Sequence, residues 1–283
     1  MNPSFKIAVI PGDGIGKEVI PEGLRVLAAA ATRFGITLSY RHIEWASCDY
    51  YVRNGKMMPD DWKTQLAGVD AIFFGAVGWP ETVPDHVSLW GSMSKFRREF
   101  DHCINLRPVR LFEGVHCPLA GHKPGEIDFV VVRENTDDEY WAPGGASSEA
   151  ADRVLKFAFE LAQQRRRKEL TVATDSNCIS ISKPWWDGRA AAMAADHPEV
   201  AWDNEQIDSL CARFVLQPQC FDVVVGSSVF GKLLFDLGLR RLGRHRFAED
   251  TLRADEPDFG ILRLSTCQRQ ETCRRQRCTL DPV

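Results

Sequence analysis

Three arginines carry the clearest chemistry in this sequence. Arg97 lies in KFRREF, Arg107 in INLRPVR, and Arg133 ends the apolar run of DFVVVRENT. A guanidinium keeps its proton and grips a carboxylate through two parallel hydrogen bonds. Several converging arginines suit a small dicarboxylic acid; each alone reads most simply as a surface charge. Tyr140, in RENTDDEY, follows Arg133 closely. Nearby positive charge lowers a phenol pKa and fits it for general acid work; a packed loop aromatic is the plainer alternative. Asp208 stands beside the apolar stripe Ile207, Leu210 and Cys211, where an unpaired charge is costly. With Asp236 it supplies oxygens of the kind that bind Mg²⁺ or Mn²⁺. A rim aspartate in water is the alternative.

Lys232 and Asp236 are four apart in GSSVFGKLLFDLG, so a helix puts them on one face, one turn apart. Two carboxylates so spaced would chelate a cation. A lysine and an aspartate instead form an ion pair, worth about 0.3–0.5 kcal/mol if exposed. Gly12, Gly14 and Gly16, in PGDGIGKEV, permit a tight turn or close approach of a ligand. The spacing is G-x-G-x-G rather than G-x-G-x-x-G, and no acidic ribose partner is obvious downstream, so the dinucleotide signature is weak.

These residues need a frame. Lys6–Ile10, Asp70–Gly75, Asp128–Val132 and Asp222–Gly226 are short apolar runs, the pattern of strands covered on both faces. Leu38–Glu44 alternates. Helical spacing recurs after Gly16, around Asp60–Leu66, and over Arg153–Gln163, Glu205–Val215 and Val229–Leu237. Alternating strands and helices predict an α/β fold with a parallel or mixed sheet. Arg133 then stands at a strand's carboxyl end, where such sheets place ligands.

The 283 residues suffice for two lobes, and the net charge of -4 favours neither nucleic acid nor an anionic membrane as partner. No apolar run reaches the roughly 20 residues of a membrane span. The start shows no secretory pattern. Nine cysteines without a C-x-x-C pair argue against a disulfide framework or zinc site and for a reduced, cytoplasmic setting.

In one order, PGDGIGKEV, RREFDHCINLRPVR, VVRENTDDEY, ATDSN, WDNEQID and SSVFGKLLFDLG resemble the β-decarboxylating dehydrogenases, the isocitrate and isopropylmalate dehydrogenase family. DHVSLWG and IDSLCARFVLQP look most like the tartrate and D-malate dehydrogenase branch. The resemblance runs from about residue 5 to about 238. It implies a two-lobed, mostly parallel fold, truncated at the C-terminus: a first lobe over 1–100, a second over 101–238 carrying the substrate and metal motifs, and a divergent tail over 239–283.

It also implies a reaction: NAD-dependent oxidation and metal-assisted decarboxylation of a small 2-hydroxy dicarboxylic acid by a homodimer, with Mg²⁺ or Mn²⁺ and K⁺ as ions. By motif position, Arg97, Arg107 and Arg133 would hold the substrate carboxylates. Tyr140 would protonate the enol, Gly12, Gly14 and Gly16 would border the cofactor, and Asp208 and Asp236 would bind metal. Departures are equally specific. The family's catalytic lysine falls at Asp175, and its third metal aspartate at Lys232. Only WAPGGASSEAA separates Tyr140 from Asp152, where relatives build a dimer-clasping arm. The adenine-binding loop has no counterpart after Gly238. Residues 239–283 hold ten arginines, no lysine and no clear strand or helix period. They read either as a solvated basic tail without fixed fold or as sequence translated out of frame. The expectation is a family member with impaired catalysis, or a non-catalytic binding subunit.

Overall fold

The computed structural model describes residues 2–114, 121–135, 148–175, 177, 182–241, 248–253 and 260–265. The chain divides into two compact units. One comprises Met1–Ser92, His245–Ala248 and Arg263–Val283; the other comprises Met93–Arg244 and Glu249–Leu262.

In the first unit, β1 (Ser4–Ile10) lies between β2 (Thr37–His42) and β3 (Ala71–Phe74), parallel to both. Ala8, Val9, Ile10, Ile72, Phe73 and Phe74 are buried, as continuous apolar strands require. Helix α1 (Gly16–Phe34) connects β1 to β2 and stops at Gly35, whose φ of 66° makes a left-handed cap. Three short helices follow: α2 (Cys48–Asn54), α3 (Trp62–Gln65) and α4 (Asp85–Trp90).

The second unit opens with α5 (Met93–Glu99), which leads into β4 (Ile104–Arg110). Antiparallel to β4 runs β5 (Asp128–Glu134), followed by α6 (Ser148–Gln164), β6 (Glu169–Thr174), α7 (Ser182–Ala194) and β7 (Ala201–Gln206). Then come α8 (Ile207–Leu216), β8 (Val223–Gly226), α9 (Ser228–Arg241) and β9 (Ala248–Arg253). Their sheet order is β9-β4-β5-β8-β6-β7, and β5, β8, β6 and β7 are mutually parallel.

Each face of this sheet has its own cover. On one, Val154, Leu155, Ala158 and Phe159 of α6 pack on Ile104, Val132, Val172 and Val225. On the other, Phe129 meets Phe214 of α8 edge-on at 5.1 Å, and Phe221 joins them 4.6 Å from Phe214. Burying each such ring is worth about 2–3 kcal/mol. Asp222, 3% exposed, is held by Arg165 Nε at 2.6 Å and accepts the N–H of Glu169 at 3.3 Å.

Two expectations are corrected. Glu205 and Gln206 belong to β7, and the helix begins only at Ile207. β7 is an edge strand, so its polar residues face water and carry no apolar period. The Arg-rich segment also contains strands, β9 and β10 (Gly260–Ser265). Backbone pairing makes β9 a strand: Asn105 and Leu106 pair with Leu252 and Thr251. Among the described residues no helix is long and apolar enough to cross a membrane.

Candidate functional site

The carboxyl ends of β5, β8, β6 and β7 share one edge of the sheet. Arg133 pairs with Gly226, Val225 with Val172, and Thr174 with Gln206. Beyond those rungs the chain leaves β8 into Ser227 and Ser228, β6 into Asp175, and β7 into the first turn of α8 with Asp208. Parallel sheets bind ligands at this end. Sequence-predicted residues Arg133, Asp175 and Asp208 therefore gather along it.

Arg107 joins Arg133 through pairing parity. Asn105 lies opposite Arg133, and Arg107 is two residues further along the same strand. All three side chains leave one face, which α9 covers. Arg133 Nε donates to the Ser228 carbonyl at 2.7 Å. Arg107, 8% exposed, donates from Nε to Asn105 Oδ1 at 3.1 Å and lies over the Phe235 ring at 4.4 Å. Arg133 is thus tied to α9 through its Nε bond, and Arg107 through its place over a ring of that helix. Gly231 makes that docking possible: a Cβ there would meet Cβ and Cγ of Arg133 at 2.7 Å. Gly231 carries no local signal in the sequence, because its constraint comes from another strand.

Arg97, half-buried, belongs to α5. Tyr140, with all of residues 136–147, and the side chain of Lys183 lie outside the described residues. Asp208 is exposed rather than at a costly core edge, and its Oδ1 accepts the Ser209 N–H at 2.7 Å. Its charge adds to burial in raising the Cys211 thiol pKa. Lys232 and Asp236 are both exposed, and the expected ion pair between them is not formed among the described residues. Lysine N-terminal to the acid is the weaker order for a helical pair, too weak to hold two long side chains.

Gly12, Gly14 and Gly16 fall in the first unit, where the turn is filled from within. Gly12 has φ +72°, and a Cβ there would lie 2.0 Å from the Ala76 carbonyl oxygen. At Gly16 it would lie 2.1 Å from the Pro11 oxygen, and at Gly14 2.8 Å from the Trp79 ring. The close approach these glycines allow is to the protein's own atoms. An acid missed in the sequence, Asp13, organises the turn. It is 3% exposed and accepts the N–H groups of Cys48 at 2.7 Å and Gly78 at 2.9 Å. Beside it a cleft of about 250 Å³ is lined by Gly14, Lys17, Cys48 and Trp79.

Burial, with the hydrogen bond and charge of Asp13, pushes the Cys48 thiol from 9.0 up to about 12. A thiol held protonated is a poor nucleophile. In the folded chain at pH 8, Cys48 is expected to resist iodoacetamide while exposed thiols react, as read by peptide mass spectrometry; rapid labelling would contradict this. The raised pKa stabilises the fold fully below about 9, and this contribution is lost as pH rises toward 12.

Comparison with known proteins adds an independent line. A model of the isocitrate/isopropylmalate dehydrogenase family matches residues 6–242. The chain is 61% identical over 254 residues to D-malate dehydrogenase (decarboxylating) of Escherichia coli strain K12, covering 84% of this chain and 70% of that protein. It is 59% identical over 252 residues to tartrate dehydrogenase/decarboxylase of Pseudomonas putida, covering 83% and 69%. The TT0538 protein of Thermus thermophilus superimposes with a TM-score of 0.75 at 27% identity, over 92% of this chain and 52% of that one. Isocitrate dehydrogenase of Methylococcus capsulatus gives the same TM-score at 22% identity over 92% and 76%, a likeness of fold. The chain thus spans about half of the Thermus structure and about 70% of its curated relatives.

Proposed function

We propose a function on one premise: the chain belongs to the isocitrate/isopropylmalate dehydrogenase family, in the tartrate and D-malate dehydrogenase class. It binds a small 2-hydroxy dicarboxylic acid, of the D-malate or tartrate kind, at the carboxyl ends of β5, β8, β6 and β7. Supporting this most directly is the placement of Arg107 and Arg133 on one sheet face, both docked against α9. Two fixed guanidinium forks match two carboxylates in geometry and charge. Arg97 assists from α5.

The ancestral reaction is NAD-dependent oxidation with decarboxylation, in a cytoplasmic homodimer. A divalent metal, when bound, would polarise the substrate hydroxyl and stabilise the enolate left by departing carbon dioxide. The residues present do not fit that metal. Among the described residues no three His, Cys, Asp or Glu side chains form a ligand set, and Lys232 stands where an acid is expected. Asp175 stands where the family's lysine is expected, a reversal of charge at the proton-transfer position. At the glycine turn the space a side chain would take is filled by the protein's own atoms, and the cleft beside it is lined by Gly14, Lys17, Cys48 and Trp79.

The chain is accordingly a dicarboxylate-binding member with impaired turnover. Purified and supplied with NAD, Mn²⁺ and D-malate or tartrate, it is expected to produce no NADH above the uncatalysed rate in an absorbance assay. Steady NAD reduction with either acid would overturn the impairment.

A further inference from the structure

The mismatch at the metal position has a positive counterpart. Asp208 and Asp236 are exposed, and Lys232 sits one helical turn before Asp236. An ammonium there repels a dication. Around Lys232, α9 makes its contacts with the two strand arginines: Ser228 accepts from Arg133, Gly231 lies against the Arg133 stem, and Phe235 lies beneath Arg107. On an ideal helix Lys232 points about 40° from Ser228 and about 60° from Phe235. Its exposed side chain therefore leaves α9 beside the residues that hold the arginines, on a flexible four-carbon stem.

We propose that Lys232 takes over the charge role of a divalent ion, so that this chain binds small dicarboxylates by arginine and lysine alone. The proposal rests on the dicarboxylate reading above and sharpens it in two ways. Binding is independent of divalent cations. Discrimination for the 2-hydroxyl is also lost. A metal chelates hydroxyl and carboxylate together, whereas an ammonium is a point charge that neutralises the carboxylate without needing the hydroxyl.

Equilibrium dialysis of the full chain against labelled D-malate tests this, in EDTA and in MnCl₂, with Lys232→Met and Lys232→Arg alongside. Lys232 is exposed, so both variants are expected to keep the wild-type circular dichroism spectrum. Wild-type dissociation constants are expected to agree within about twofold in the two buffers, and unlabelled succinate to compete within about threefold of D-malate. Lys232→Met is expected to weaken binding about tenfold, with Lys232→Arg restoring most of it. Binding that requires Mn²⁺, or unchanged affinity in Lys232→Met, overturns the proposal and leaves the dicarboxylate reading standing. Absence of D-malate binding by the wild-type chain in both buffers overturns that reading and the proposal with it.

Discussion

Arg107→Met is expected to weaken D-malate binding by about a hundredfold, some 3 kcal/mol, the scale of two charge-assisted hydrogen bonds at a desolvated site. Methionine keeps the stem's volume and a favourable sulfur contact with Phe235, so packing is largely retained. The Nε bond to Asn105 Oδ1 and the cation over the ring are among the interactions removed. The ring contact is worth about 1 kcal/mol, so stability should fall modestly and the folded chain remain available for titration. Arg107→Lys keeps the charge but loses the planar fork; about a tenfold loss is expected. Equilibrium dialysis measures the affinities and urea unfolding the stabilities. If Arg107→Met binds D-malate as the wild type does, this arginine is only a structural cation and the placement of the site is wrong.

That burial is what the sequence could not supply. Arg133 was legible because it ends an apolar run, so its place at a carboxyl strand end followed from the pattern alone. Arg107 lies in INLRPVR, where arginine and proline interrupt the apolar run of β4. Nothing local says that α9 will cover it, because the cover arrives more than a hundred residues later. The strands β1, β3, β5 and β8 were legible as unbroken apolar segments. β7 was misread because an edge strand with polar side chains carries no buried face to read. α7 was missed for a related reason: Trp185, Trp186 and its alanines make no clean helical stripe. Ordered motifs, by contrast, exposed the family without any knowledge of packing. Asp175 follows the carboxyl end of β6, the edge at which parallel sheets bind ligands.

Gly12→Ala tests the first unit, where a glycine-rich turn invites a ligand reading. Two separate costs apply. The positive φ of +72° disfavours any side chain by about 1–2 kcal/mol. Added to it is a Cβ 2.0 Å from the Ala76 oxygen and 2.9 Å from its carbonyl carbon. That oxygen cannot simply retreat, because it accepts the Asp13 N–H at 2.7 Å. A total loss of about 4 kcal/mol is expected, lowering the melting temperature by roughly 8–16 °C. Two controls separate the terms. Gly55 has φ +69° with nothing within 4 Å of a Cβ, so Gly55→Ala should show the backbone cost alone. Gly188 is helical with open space, so Gly188→Ala should be neutral or stabilising by up to about 1 kcal/mol. Thermal melts should therefore rank the three variants Gly12, then Gly55, then Gly188. Repeating the melt with NADH distinguishes packing from ligand binding. If Gly12→Ala melts like the wild type yet loses an NADH-induced rise in melting temperature, the glycine serves the nucleotide. A large loss without NADH instead assigns it to the clamp between Asp13 and Ala76, which the fold needs whether or not a cofactor binds.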